Sequence, residues 1–121
     1  MSRILVASLC ALVLVPVLSG RCHAHAVVVR TSLAEAPVKA ETQTEVTIHF
    51  NGDIERDFTK MTLVAPDGSE RSLALAPGTT ERGAVVVVLP PLAAGRYALR
   101  YKVLAADGHV SESLVRFEVQ P

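Results

Sequence analysis

Short β-branched runs separated by turn residues fill most of the chain after residue 25, and this pattern constrains the fold more than any other feature. In one such run, Val46, Ile48 and Phe50 alternate with polar neighbours. Alternation with a period of two is typical of a β-strand with one buried face. No stretch after residue 25 has a sustained apolar spacing at the helical period. The sequence therefore predicts an all-β domain.

Turn-forming residues divide this region into seven runs. Pro66-Asp67-Gly68 and Asp107-Gly108 are two of these turns. Seven strands joined in this way favour antiparallel pairing and a sandwich of two sheets. The run Val85 to Leu89 is apolar on both faces, which predicts a central strand buried more deeply than its neighbours. The predicted strands are residues 26–30, 45–50, 59–65, 71–75, 84–89, 96–104 and 111–119.

The first stretch of the chain has the features of a secretory signal. Arg3 supplies a positive charge, and Ile4 to Leu18 forms an apolar run of about 15 residues. This run is shorter than the roughly 20 residues needed to cross a bilayer as a helix. A short membrane anchor that stays attached is the competing interpretation. Small residues suited to signal cleavage follow the run. We therefore expect the signal to be removed and the mature chain not to insert into a membrane.

Two cleavage positions satisfy the small-residue rule at the end of this signal. A cut after Ala24 leaves His25 as the new N-terminus, whereas a cut after Ala26 discards it. Signal rules alone do not separate the two. Both cuts remove Cys10 and Cys22, so the mature domain has no thiol for a disulfide or a thiolate metal site. The predicted division is a signal peptide at 1–24 and one domain at 25–121.

Charge and histidine content narrow the possible chemistry. Twelve Lys and Arg residues balance twelve Asp and Glu residues, so no basic surface indicates nucleic acid as a partner. Of the four histidines, His23 is lost with the signal under either cut. His49 lies on the polar face of a predicted strand, where a solvated side chain that binds no metal is expected. His25 and His109 remain as candidate ligands.

Asp107-Gly108-His109 joins two predicted strands and allows two interpretations. Asp-Gly is a common hairpin turn, which accounts for the motif without any ligand. Alternatively, an acid and a histidine two positions apart in extended chain project from the same side, about 7 Å apart at the backbone. That separation is short enough for both side chains to share one ion. Taken alone, the motif favours the turn.

A histidine at the mature N-terminus favours the interpretation of Asp107 and His109 as metal ligands. Its α-amine and imidazole Nδ1 can bind one metal as a chelate. The imidazole of His109 adds a third nitrogen, and the carboxylate of Asp107 adds an oxygen. Three nitrogens and one oxygen with room for tetragonal geometry suit Cu(II), whereas Zn(II) accepts similar donors but prefers a tetrahedral arrangement. The candidate ligands for one Cu(II) ion are His25, Asp107 and His109.

Specific motifs extend across the mature chain. They are the segments Leu89 to Tyr97, Tyr101 to His109 and Phe117-Glu-Val119, together with His25-Ala26 and the strand Val46 to Phe50 leading into Asn51. In these motifs the chain resembles the CopC family of periplasmic copper-binding proteins. The resemblance implies an immunoglobulin-like Greek-key β-sandwich or barrel. It also implies a Cu(II) site formed by His25, Asp107 and His109, and it favours cleavage after Ala24.

The chain departs from the family pattern at a few positions. Gly52 followed by Asp53 stands where the family usually has an acidic residue, and Tyr101 replaces an expected tryptophan. A methionine-rich loop, which in some members binds Cu(I), is missing. Met61 is the single methionine beyond the signal, and soft thioether ligation needs several sulfurs. We therefore expect Met61 to fill the core, and one Cu(II) site without a dedicated Cu(I) site.

Three functions are compatible with this sequence. The preferred prediction is a non-enzymatic periplasmic copper carrier or buffer in copper homeostasis or resistance, with an inner-membrane copper transporter as a partner. A copper-dependent oxidative enzyme is the first alternative, since lytic polysaccharide monooxygenases also use an N-terminal histidine on a sandwich. Those enzymes are larger and grip their substrate with aromatic side chains, which here are 4% of residues with no Trp. A metal-free scaffold module is the second alternative, because a fold alone implies no function.

Overall fold

Strands form almost all of the regular structure in the computed structural model, which describes residues 25–77 and 81–121. The predicted signal peptide lies outside these residues. No helix within them is long and apolar enough to span a membrane. The elements are β1 (Val28–Thr31), α1 (Ser32–Glu35), β2 (Val38–Lys39), β3 (Thr44–Phe50), β4 (Ile54–Val64), β5 (Glu70–Leu73), β6 (Ala84–Leu89), β7 (Gly95–Ala105) and β8 (Val110–Gln120). The prediction of an all-β fold is confirmed.

Two sheets face each other in this fold. The smaller sheet has the order β1-β3-β6, and the larger has the order β2-β8-β7-β4-β5. Neighbouring strands are antiparallel, except that β2 runs parallel to β8. Antiparallel sheets commonly bury one face, and two such faces packed together make a sandwich. The predicted sandwich is therefore confirmed.

The core lies between the sheets, on the inward faces predicted by the alternation. Val46 and Ile48 of β3 and Leu99 and Val103 of β7 have no exposed surface. Met61 of β4 is 2% exposed, which confirms its role as a core residue. Burial of such side chains is the main term that stabilises a small domain without cross-links.

The strand count differs from the prediction because two local features break the simple alternation. The described residues form eight strands rather than seven, since β2 pairs with the end of β8 through only two residues, too few for a periodic pattern. β4 begins at Ile54 rather than at Thr59. Its register against β7 shifts between Glu55 and Lys60, and a bulge of this kind interrupts the period of two. The one-turn helix α1 was also not predicted; its N-cap Thr31 accepts a hydrogen bond from the Leu33 N–H at 3.2 Å.

The position of β6 corrects a further prediction. Its apolar run predicted a central strand, but β6 lies at the edge of the smaller sheet, where β3 is central. The outward side chains of Val86 and Val88 are nevertheless partly buried. The segment after β5 covers this edge, because Leu75 forms a bridge with Val87 and the Ala76 N–H donates to the Val86 carbonyl at 2.7 Å. Because the segment after β5 covers this edge strand, β6 can have apolar residues on both of its faces.

A tight turn joins β4 to β5. Gly68 has a φ of 84°, a conformation that favours glycine, and its N–H donates to the Ala65 carbonyl at 2.9 Å. The Asp67 carboxylate accepts hydrogen bonds from the Ser69 hydroxyl at 2.6 Å and from the Ser69 N–H at 2.9 Å. These bonds stabilise the charged form and lower the pKa of Asp67, with the hydroxyl as the largest cause.

Ser69→Ala is expected to raise the pKa of Asp67 toward its ordinary value, because the largest stabiliser of the carboxylate is removed. A lowered pKa in the folded state contributes stability above the unfolded pKa, and this contribution is lost as the pH falls through the folded pKa. The stability difference between wild type and variant should therefore shrink in acid. Side-chain NMR titration measures the pKa, with exposed Ser72→Ala as the control. An unchanged Asp67 titration in Ser69→Ala would contradict this account.

Candidate metal centre

The segment 25–27 is bonded to both sheets at one end of the sandwich. The Ala26 N–H donates to Ser111 Oγ of β8 at 3.1 Å, and the Val27 carbonyl accepts from the Asn51 N–H, just after β3, at 2.9 Å. Ala26 is buried, with 5% of its surface exposed, whereas the preceding residue His25 is exposed. The structure thus anchors the backbone next to His25 and leaves the imidazole open to solvent.

The side chain of Asn51 adds two bonds to the same segment. Its Oδ1 accepts from the Val27 N–H at 3.0 Å, and its Nδ2 donates to the His25 carbonyl at 3.1 Å. One carboxamide therefore bonds the backbone on both sides of Ala26. An amide oxygen can only accept and an amide nitrogen can only donate. Only this orientation of the Asn51 carboxamide therefore satisfies both contacts.

Asp107 and His109 lie in the hairpin that joins β7 to β8. Gly108 has a φ of 89° and donates to the Ala105 carbonyl at 2.9 Å, while the Ala105 N–H donates to the His109 carbonyl at 2.8 Å. The Asp107 carboxylate accepts from the His109 N–H at 3.0 Å. The segment is therefore a tight turn rather than the extended chain considered above, and Asp107 takes part in fixing it.

The structure brings the three candidate ligands to this one end of the sandwich. Asp107 Oδ1 lies 3.2 Å from His109 Nδ1, with 40% and 44% of the two side chains exposed. The ring centroids of His25 and His109 are 6.4 Å apart at an interplanar angle of 75°. Within residues 25–77 and 81–121, no three His, Cys, Asp or Glu side chains already converge on one point. The two histidines are therefore close neighbours, and Asp107 contacts His109.

The spacing of the two imidazoles is compatible with one shared metal ion. A metal–nitrogen bond of about 2 Å places the metal roughly 3 Å from the centroid of each ring. Two rings on opposite sides of one ion would then have centroids about 6 Å apart. The observed 6.4 Å requires only a small movement of exposed side chains. The residues present fit a divalent metal that accepts imidazole and carboxylate donors, and Cu(II) and Zn(II) are both of this kind.

His49 belongs to a separate polar network. Its Nε2 lies 3.0 Å from Arg30 Nη2, and its Nδ1 lies 3.2 Å from Glu81 Oε2. Because a guanidinium only donates, Nε2 is the acceptor, and the proton on Nδ1 faces Glu81. The side chain is 19% exposed, so His49 is partly buried rather than fully solvated as expected. Register explains the contact, since His49 on β3 pairs with Arg30 on β1.

A cavity of about 180 Å³ lies beside the turn that carries Asp107. Asp53 and Asn51 are on its wall together with Asp107, and the Asp53 carbonyl accepts from the Ala106 N–H at 3.0 Å. Asp53 therefore lies beside the turn that carries Asp107. The contacts of Asn51 and Ser111 with residues 25–27 were not apparent from the sequence, since none of them is local.

Fold and site together define a class of protein: a small β-sandwich with two histidines and an aspartate at one end. The chain belongs to the CopC family, because the CopC domain model matches residues 28–120. The resemblance observed in the sequence motifs is therefore confirmed.

Solved structures share the fold at low sequence identity. CopC from Methylosinus trichosporium OB3b is 22% identical, with a TM-score of 0.67, covering 80% of this chain and 95% of that chain. PcoC, a methionine-rich copper resistance protein from Escherichia coli, is 20% identical, with a TM-score of 0.54 and coverage of 80% and 100%. A Lin-41 filamin domain is also 20% identical, with a TM-score of 0.52 and coverage of 78% and 91%. No curated protein sequence matches the chain significantly.

Proposed function

We propose that this protein is a periplasmic copper-binding protein that holds one Cu(II) ion through His25, Asp107 and His109. The observation that carries the proposal is the approach of the His25 and His109 rings to 6.4 Å, with Asp107 in contact with His109. Membership of the CopC family supports copper as the ligand. The E. coli neighbour, a copper resistance protein, supports a role in copper resistance or homeostasis.

In this proposal, export creates the site. Removal of residues 1–24 frees the α-amine of His25, which then binds together with Nδ1 of the same residue. His109 supplies a third nitrogen. Asp107 supplies a weaker oxygen and also holds the turn, since its carboxylate accepts from the His109 backbone. This set of three nitrogens and one oxygen favours Cu(II) over Zn(II) in the Irving-Williams order.

An exposed site at the end of a rigid sandwich suits a carrier or buffer. The Asp107 and His109 side chains are 40% and 44% exposed, so a partner such as an inner-membrane copper transporter can reach the ion and exchange ligands. The oxidative alternative needs an aromatic face that grips a substrate. Among the described residues, Phe58 is the only exposed large aromatic side chain, and Tyr101, near the site, is buried. The aromatic residues therefore support a carrier rather than an enzyme.

The test is to export the full chain, determine the mature mass and titrate the product with Cu(II) under electron paramagnetic resonance. We expect a mass that begins at His25 and saturation at one Cu(II) per chain. Affinity should fall as the pH is lowered, because protons compete for the amine and imidazole nitrogens. Zn(II) should compete only weakly.

Two results would contradict the proposal. A mature mass that begins at Val27 would remove the amine and imidazole of His25 from the site. A product that begins at His25 and takes up no Cu(II) would show that the three side chains do not form a copper site.

A further inference from the structure

Two polar side chains from different sheets bond the backbone directly after His25. We propose that Asn51 and Ser111 are positioning residues, which hold the main chain of His25 so that its amine and imidazole face His109. This inference rests on the proposed Cu(II) site. Neither residue touches the ion itself in this proposal.

The bonds of Asn51 surround Ala26. Its amide joins the Val27 N–H at 3.0 Å and the His25 carbonyl at 3.1 Å. The backbone N–H of Asn51 donates to the Val27 carbonyl at 2.9 Å, so Asn51 makes three bonds to this short segment. The carbonyl carbon of His25 is bonded to the Cα that carries both the amine and the imidazole. Fixing this carbonyl therefore restricts the position of the Cα from which both proposed copper donors extend.

Ser111 links the backbone segments that carry the two histidines. Its hydroxyl accepts from the N–H of Ala26, which follows His25 directly, and Ser111 itself is two residues beyond His109. The 3.1 Å bond thus joins the backbone next to one histidine to the backbone next to the other. It helps to set the 6.4 Å separation of their rings.

Strand pairing alone does not hold His25 in place. β1 begins at Val28, three residues after His25. Terminal residues are poorly ordered unless they are tied down, and a ligand that must be ordered on binding loses affinity. Groups that orient metal ligands typically change affinity by about 10-fold to 100-fold when they are removed. Asn51 and Ser111 supply this orientation before the metal binds.

The experiment compares mature Asn51→Ala and Ser111→Ala with wild type in a competition titration with Cu(II), with electron paramagnetic resonance on the same samples. We expect each variant to bind about 10-fold more weakly and to give an altered copper spectrum. Ser111→Thr keeps the hydroxyl and should restore both readouts. The matched controls are Gln43→Ala and Ser72→Ala, which truncate exposed polar side chains elsewhere and should bind as wild type does.

A second measurement uses the metal-free proteins. Backbone hydrogen exchange at Ala26 and Val27 should be faster in Ser111→Ala and Asn51→Ala respectively, because each variant removes the acceptor of that N–H. Unchanged exchange together with unchanged Cu(II) affinity and spectrum would overturn the positioning role. Weaker binding with unchanged exchange would also overturn it, since the loss would not come from the backbone.

His25→Ala separates this inference from the proposed function. If His25→Ala abolishes Cu(II) binding while both positioning variants bind as wild type does, the positioning role is wrong and the copper site stands. If His25→Ala binds Cu(II) normally, the proposed site is wrong, and the positioning role falls with it.

Discussion

One residue added ahead of His25 in the mature protein is expected to weaken Cu(II) binding by more than about 100-fold, the upper end of the usual loss for groups outside the ligand set. The extension converts the α-amine into an amide and so breaks the proposed chelate of the amine and Nδ1. The imidazole remains, but as a single-point ligand. His25→Ala keeps the amine, loses the imidazole and should bind as poorly. Competition titration with electron paramagnetic resonance measures both effects.

Comparison with other variants makes this prediction specific. His109→Ala should also weaken binding severely, whereas Asp107→Asn should weaken it less, because the oxygen is the weaker donor for copper. His49→Ala is the histidine control: it should leave Cu(II) affinity unchanged, although it removes contacts with Arg30 and Glu81. An unchanged affinity and spectrum in the extended protein would show that the amine is not a ligand.

Leu99→Ala is expected to lower the free energy of unfolding by about 2–5 kcal/mol, the usual cost of truncating a buried leucine. Leu99 has no exposed surface and lies on β7, which pairs with both β4 and β8. Residues 25–121 contain no cysteine, so no disulfide within them offsets the loss. Domains are stable by about 5–15 kcal/mol in total, so the effect is large. Urea unfolding of the metal-free protein measures it.

Leu104→Ala provides the matched control on the same strand. Leu104 is an odd number of residues from Leu99, so its side chain points to the outer face of the sheet, where it is partly exposed. Its truncation should cost clearly less. Equal losses for the two leucines would contradict a core confined to the space between the sheets.

Local sequence patterns predicted the fold well where one face of a strand is buried. Val46, Ile48 and Phe50 alternate as expected, and all three are buried. These patterns gave a wrong prediction where tertiary contacts override the local alternation. β6 is apolar on both faces because a segment beyond β5 covers it at the sheet edge, and a bulge hides the beginning of β4.

The candidate site was predictable to the extent that its chemistry is local. The turn at residues 107–109 follows from Asp-Gly, and a histidine beside a predicted cleavage position is visible in the sequence. The hydrogen bonds of Asn51 and Ser111 to the segment 25–27 were not predictable, because they join residues 26 and 85 positions apart. The expectation for His49 rested on its strand face alone, whereas its partners are Arg30 on β1 and Glu81 in the loop before β6.

The bond between Ala26 and Ser111 also bears on the order of folding. It closes a loop of 85 positions, so both ends of the domain must meet before it forms. Long-range contacts carry a large loop-closure entropy and are established late in folding. We therefore expect the two histidines to meet only after the β7–β8 hairpin has docked. A truncated or incompletely folded chain would present at most part of the ligand set, so copper retention would distinguish intact molecules from unfinished ones.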